Sequence, residues 1–527
     1  MGRNAGAEYI PRAMNHGEAA HSVGGSGRNG WLTRVFAIDG RGLAAMRIGV
    51  GLTLIVDLSA RTDHFKALYT DAGAFPLRLL DPWMRETVLP LHLLSGSYAW
   101  QALLYVIALG AAIAMVVGWR SRLATLISWA LLVSLQVRNP IVLNFGDTIL
   151  RVALFWAIFL PLGSRWSLDA NRSGPEVSPA QPLPSIAGAA YLLQICFVYF
   201  FTALLKNGPD WHETGLALYY ALHLDYWATP LGVWLRDFVP FTILMARATL
   251  ALELIGPFLL LAPVWWVRTA AAVSFMALHL GIAASLELGV FPWADVVILL
   301  PFLPARFWDE IERRLFRAKS SSVPRAGTLG VGDRRVVARS PLQRAGDAAL
   351  GAILLYVFAH NVQGVWPAFA VPDSLTRAGQ WLSINQKWRM FTPNTPRNDG
   401  WFVLEGHLAD GTTVDLISPD VEPSFDKPVN VAARHTSFRW AAFFYQMSDP
   451  TTNDPLRRNW ARWQCGDWNR RALPARRLET LEMWFVLEAT PPPGVQAELK
   501  RQHLLDFDCA APRASAAPEP PATGDAH

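Results

Sequence analysis

IAGAAYLLQICFVYFFTALL, residues 186–205, is twenty residues without a charge, followed at once by Lys206 and then by Asn207-Gly208-Pro209-Asp210-Trp211. As a helix the run reaches about 30 Å, the thickness of a bilayer's hydrocarbon core. Gly208-Pro209 ends it, because proline cannot continue a helical hydrogen-bond ladder. Lys206 stands where the apolar run stops, and two readings fit it. It is either a lysine snorkelling to the membrane surface, or a partly desolvated amine available as a base.

The rest of the chain agrees with a membrane protein. Of 527 residues, 52% are hydrophobic and only 17% charged, with 23 Trp, which leaves room for a polytopic domain and a soluble one. Residues 1–30 are polar and glycine-rich, with no short apolar segment before a small-residue cleavage site, so they read as a cytoplasmic tail. Nine apolar segments follow, at 43–60, 98–117, 123–137, 148–162, 186–205, 241–264, 269–286, 290–303 and 348–370. The third and eighth are the weakest and could be re-entrant. The first half of 214–238 suits an amphipathic helix lying in the interface.

The basic residues are unevenly placed. With nine spans, the side holding the N-terminus carries 20 Lys or Arg, ten of them in the loop from Arg306 to Arg344, against seven in the opposite short loops. Positive charge stays inside, so the N-terminus and loop 304–347 are expected in the cytoplasm and everything after the ninth span outside. The expected fold is an all-α polytopic membrane domain of about nine transmembrane helices followed by a small α+β extracytoplasmic domain. In residue ranges this is a disordered tail over 1–37, a membrane domain over 38–305, a basic loop over 306–346, a last span over 347–371, a soluble domain over 380–510 and a disordered tail over 511–527.

Ionisable side chains inside the spans need partners or water. Arg47, Asp57, Arg151, Arg247, Glu253, His279, Asp295 and His360 all fall within the apolar segments, with Asp147 just before one and Glu287 at the end of another. Arg47, Asp57, Asp147 and Arg151 read as structural charges facing the bundle interior. Arg151 lies four residues after Asp147, a spacing that lets the two pair on one helix face. His279 is either a helix-packing histidine or a catalytic one.

Beyond residue 380 the pattern changes. Two β-rich runs in WFVLEGHLADGTTVDLI flank Asp410-Gly411, a hairpin signal. LEMWFVLEAT, 481–490, reads as a strand and RRNWARWQ, 457–464, as a helix. The run 457–477 holds seven Arg and three Trp. Outside the cell that interleaving suits a solvated face or contact with lipid or the membrane domain better than nucleic acid, so no nucleic-acid partner is expected. Cys196, Cys465 and Cys509 lack metal-ligand spacing, and no metal is expected. Cys465 and Cys509 fall in the expected outer domain, where a disulfide could persist. Phosphate-binding loops, dinucleotide fingerprints and HExxH are absent.

Four motifs carry a family resemblance over about residues 38–305. They are LAAMRIGVGLTLIVDL followed by LYTDAGAFP, LNFGDTILRVALFWAIFLPLGSRWSLDA, VYFFTALLKNGPDWHETGLALYYALH, and HLGIAASLELGVFPW. They resemble the HTTM family (horizontally transferred transmembrane domain), which includes the vitamin K-dependent γ-glutamyl carboxylases. QKWRMFTP with the following hairpin is similar to the soluble part of bacterial members, which implies a multi-pass protein of a bacterial plasma membrane. The resemblance implies Lys206 as the base toward reduced vitamin K or another quinone, and His279 as a partner in the site. Trp166, Ser167 and Asp169 match a helix-end pattern of the family. The implied substrate is a secreted peptide or protein. Two positions depart. Val137-Arg138-Asn139-Pro140 stands where the carboxylases carry a histidine, and Ile282 where they have asparagine. A carboxylase-like enzyme and a non-enzymatic membrane module for peptide binding, export or maturation are therefore both carried forward. Lys206→Met is expected to keep most of the packing.

Overall fold

The computed structural model describes residues 26–80, 89–172, 184–315, 340–451 and 453–510. Most of the expected N-terminal tail, 316–339 of the basic loop and the tail 511–527 lie outside the described residues. Within the expected tail and loop, Ser26–Phe36 and Ala305–Leu315 are helical.

Among the described residues, nine helices build the bundle: α1 (Gly40–Thr62), α2 (Tyr98–Val117), α3 (Ser121–Arg138), α4 (Phe145–Ala157), α5 (Ile186–Leu205), α6 (Val239–Leu260), α7 (Trp265–Ser285), α8 (Phe291–Ile298) and α9 (Pro341–Val365). Local chemistry sets several of their starts. Ser97 and Ser185 accept the first free amides of α2 and α5, and Asn144 with Asp147 forms a capping box on α4. Gly118 ends α2 in the left-handed region at φ 71°.

Six of the described helices are long and apolar enough to cross a membrane, namely α2, α5, α6, α7, α9 and the stretch Gly30–Thr62, or seven if the bent pair Phe291–Phe302 and Ala305–Arg314 counts as one span. α3 and α4 fall outside that set. α4 is thirteen residues, about 20 Å, with Asp147 in its first turn. Large apolar side chains point outward along these helices, among them Val106, Leu244, Phe258, Trp266 and Leu355. Such a surface belongs in lipid rather than water. Within the bundle, close packing and polar contacts hold helices together, since lipid offers no hydrophobic drive between them.

The chain shuttles between two ends. At one, Arg41 pairs with Asp309 and Glu312, Arg268 donates to the Val35 carbonyl, and Asp169 accepts from Ser121 and the Arg120 amide. At the other, Arg138 donates to the Phe75 carbonyl, Asn144 to the Leu288 carbonyl, and the Gly208 amide to the Pro393 carbonyl. The C-terminal domain is seated on the second end, through contacts such as the Gly208 amide with the Pro393 carbonyl.

That domain is a four-stranded antiparallel sheet of β1 (Asn398–Leu408), β2 (Thr413–Asp415), β3 (Leu478–Ala489) and β4 (Glu498–Asp508), in the order β2-β1-β3-β4. Two helices, α10 (Phe438–Met447) and α11 (Asp454–Arg471), complete it. Phe402, Phe443, Met447, Trp460, Leu481 and Met483 fill its core, which is continuous with Leu68, Tyr69 and Phe75 of the membrane domain. Cys465 on α11 and Cys509 just after β4 form a disulfide across 44 residues of sequence. Closing a loop of that length removes about 4 kcal/mol of unfolded-chain entropy. The expected interfacial helix in 214–238 is instead Ala217–Leu222, whose Ala217 and Tyr219–Leu222 are buried, beneath Thr395.

Candidate functional site

Lys206 caps α5, its amide bonded back to the Thr202 and Ala203 carbonyls. This places its side chain beside α6, and the residue is only 3% exposed. Nζ lies 2.6 and 2.7 Å from the two carboxylate oxygens of Glu253. The ammonium also sits over the Trp211 ring, 4.4 Å from its centroid, a second interaction that favours a desolvated cation. Glu253 was legible in the sequence only as one of several charges within spans. Its pairing with Lys206 joins residues 47 apart on two helices, and no local spacing announces it.

The segment QKWRMFTP closes this site from the C-terminal side. The Phe391 carbonyl accepts from Trp211 Nε1 at 2.8 Å. Gly208 lets the segment approach, because a Cβ there would collide with Asn394 and the Pro393 carbonyl. Asp210 binds Arg397 at 2.7 Å, and Arg397 stacks over Tyr220. Deeper in, Gln386 exchanges hydrogen bonds with Gln194 of α5 and accepts from Trp388 Nε1. A buried amide pair of this kind fixes register, since every polar atom must find its partner.

His279 on α7 is brought to the same region. Its Nε2 lies 3.0 Å from the Tyr199 hydroxyl and 3.8 Å from Asp295 on α8. Tyr199 stacks on Phe275 and also reaches Asp295. Among the described residues, Nδ1 of His279 and Oδ2 of Asp295 have no hydrogen-bond partner. Lys206 is close enough to His279 for the two to interact electrostatically, although no direct bond joins them. The site is thus a buried cation–carboxylate pair with a Tyr-His-Asp group behind it, drawn from α5 to α8.

The other intramembrane charges lie elsewhere. Arg47 donates to the Val116 carbonyl at 2.9 Å and the Trp166 carbonyl at 2.5 Å, at the end of the bundle away from the C-terminal domain. Ser167 and Asp169 cap neighbouring backbone there. Asp57 and Asp147 meet in a buried cluster with Arg61 and Arg439. Arg61 bonds both carboxylates at 2.8 Å, and Arg439 bonds Asp57 at 2.8 Å and Asp147 at 2.6 Å. The spacing that lets Arg151 pair with Asp147 is not used. Arg439 and Arg61 occupy that carboxylate, and Arg151 turns to Gln136 Oε1 and the Asn385 carbonyl. Arg61 had a readable signal, four residues after Asp57. Arg439 had none, because it arrives from α10, 382 residues further on.

A second carboxyl site joins the domains. The Asp225 amide donates to Asp399 at the start of β1, while the Asp225 side chain binds Arg236 at 2.7 Å and Lys427 at 2.6 Å. Burial, followed by the neighbouring Asp225 charge, pushes the Asp399 carboxyl up to about 8. The folded protein therefore holds a proton there that the unfolded chain has released above its ordinary 3.8. Stability must fall as pH rises from about 4 to about 8. Asp399→Asn is expected to flatten that decline in apparent melting temperature. An unchanged pH profile would remove Asp399 as its cause.

Among the described residues, two groups bring three candidate metal ligands together on the sheet, Glu405-His407-Glu482 and Glu482-His503-Asp506. Neither touches the Lys206 site.

Apolar helices threaded by internal charges, with an α+β domain seated on one end, define a multi-pass membrane protein. Residues 36–307 match the model of the HTTM domain. The match spans more than half of the chain, and the protein belongs to that family. No curated protein and no solved structure matches it.

Proposed function

We propose that this HTTM-domain protein is a carboxylase-like membrane enzyme that uses a lipid-soluble reduced quinone, with Lys206 as base and His279 as polar partner. The observation that carries this reading is the buried Lys206–Glu253 pair. Nζ donates to both Glu253 oxygens at 2.7 and 2.6 Å, so the amine has a proton acceptor in direct contact with it inside the bundle. Glu253 thereby supplies what the resemblance alone did not, a place for the proton. Trp211, Tyr199 and Phe201 make the surroundings aromatic, but all three rings are buried and packed against neighbours, so a quinone ring needs them to move. The quinol, with oxygen, would supply the base strength needed to deprotonate a γ-carbon of glutamate. Access to Nζ requires Trp211 and residues 391–394 to move, since they close over it.

Two features support an outer location for the C-terminal domain: the arginine bias, and a disulfide of the kind that persists in oxidising compartments. In intact cells, an impermeant thiol reagent should label a cysteine placed at exposed Val495 and spare one near Arg325. The reverse pattern would overturn this topology.

The binding-module reading has one feature in its favour. Among the described residues β4 is an edge strand with no strand on its outer side, and an extended peptide can add to such an edge. Quinol-dependent oxygen uptake by purified protein separates the readings. Uptake above the quinol's own background supports the enzyme, and background uptake with no peptide modified leaves the module.

A further inference from the structure

A cavity of about 290 Å³ opens beside the C-terminal end of α9, between Leu205 of α5 and the segment 376–389. His360, Asn361, Gln363, Gln386, Lys387 and Arg389 supply its polar lining, and no acidic residue lines it. His360 is 8% exposed and neither ring nitrogen has a hydrogen-bond partner among the described residues. A buried imidazole left in that state is costly, and its ring is held in place by stacking against Tyr356. Lys387 and Arg389 are exposed and form no ion pair among the described residues. Three nitrogen-bearing side chains thus line one space that no carboxylate of the described residues lines.

The surroundings set the depth of this cavity in a membrane. Below it α9 presents Leu355 and Phe358 outward, an apolar face suited to acyl chains. Around it Trp366, Phe369, Leu375 and Trp381 are all exposed. Tryptophans at the end of an apolar helix mark the headgroup level, where an amphipathic ring is at once wet and greasy. A cationic cavity at that level, open beside a lipid-facing helix, matches a phosphate ester carried on two acyl chains.

We infer that this cavity is a binding site for the phosphate headgroup of an anionic phospholipid. Arg389 and Lys387 bind the phosphate oxygens through charge-assisted hydrogen bonds. His360 satisfies its free nitrogens on the same headgroup, and the acyl chains follow α9. The site does not depend on the quinone reading, because none of its polar groups touches Lys206 or Glu253.

The test uses delipidated full-length protein in detergent, titrated with phosphatidylglycerol or with phosphatidylcholine of the same chains, and counted by native mass spectrometry. Wild type should retain one phosphatidylglycerol more tightly than phosphatidylcholine. Lys387→Gln combined with Arg389→Gln should weaken that retention about tenfold. Both residues are exposed, so the variant should fold. His360→Gln, which keeps one polar group of similar reach, should weaken it less. The same pair of changes at exposed Lys500 and Arg501 on β4 should leave it intact. Equal retention of the two lipids, or full retention by the double variant, overturns the assignment. Inorganic phosphate binding as tightly as phosphatidylglycerol also overturns it, since the site would then read a free anion.

Discussion

Arg439→Ala is expected to give the largest loss of stability of any single substitution in the C-terminal domain. Arg439 reaches from α10 into the bundle, is 5% exposed, and bonds Asp57, Asp147 and the Val142 carbonyl. Burial and the neighbouring Arg61 work against its charge, but Asp147 and Asp57 outweigh them and hold the guanidinium above its ordinary range. Two arginines and two aspartates then balance. Removing one arginine leaves two buried carboxylates to share Arg61, and a buried charge stripped of its partner typically costs about 3–5 kcal/mol. The same change detaches the soluble domain from its deepest anchor. Limited proteolysis should therefore release the C-terminal domain from Arg439→Ala at protease levels that leave wild type whole. Adding Asp57→Asn should recover part of the lost melting temperature, because one orphaned charge is gone. Strictly additive losses would show that the cluster contributes no pairing energy.

Lys206→Met is expected to be destabilising as well as inactivating. Read as the end of a helix, the lysine looked replaceable by an apolar side chain of similar length. Its bidentate contact with Glu253 changes that expectation, since methionine leaves a carboxylate buried in the bundle. Glu253→Gln leaves the reciprocal orphan, an ammonium held only by Trp211. Each single variant should lose about 3–5 kcal/mol. Lys206→Met with Glu253→Leu should recover most of it, because apolar residues of similar volume replace a buried pair with little penalty. The double variant is the useful control. It should melt near wild type and still lack activity, separating chemistry from folding. A double variant as unstable as the singles would mean that the pair holds α5 to α6 in a way no apolar contact can replace.

The helices were legible because hydrophobic length is a one-dimensional signal. α5 occupies 186–205, the very run that shows no charge, and its serine cap and Gly-Pro stop are local. α4 was less legible. Its apolar stretch continues to Leu162, but the helix ends at Ala157, and turns carry the chain to the Trp166–Asp169 cap. In the C-terminal domain, the Asp410-Gly411 turn and the 481–490 run located β1, β2 and β3 through turn chemistry and alternation. β4 escaped notice because ELKRQHLLDFD is mostly polar, as suits an exposed edge. The site divided in the same way. Lys206 and His279 stood out as ionisable groups in apolar surroundings, a property of the sequence itself. Glu253 and Asp295 were visible as charges but not as partners. Arg439 and Asp399 were not visible at all, since each becomes special only when the C-terminal domain meets the bundle.

The chemical role of the Lys206–Glu253 pair can be tested without knowing the peptide substrate. Oxygen uptake by purified protein supplied with a reduced naphthoquinone should exceed the quinol's own autoxidation in wild type. In Lys206→Arg it should fall to that background, because arginine keeps the charge and its contact with Glu253 but does not release its proton. Lys206→Arg with uptake equal to wild type would contradict the assignment of Lys206 as the base and reduce the pair to a structural one.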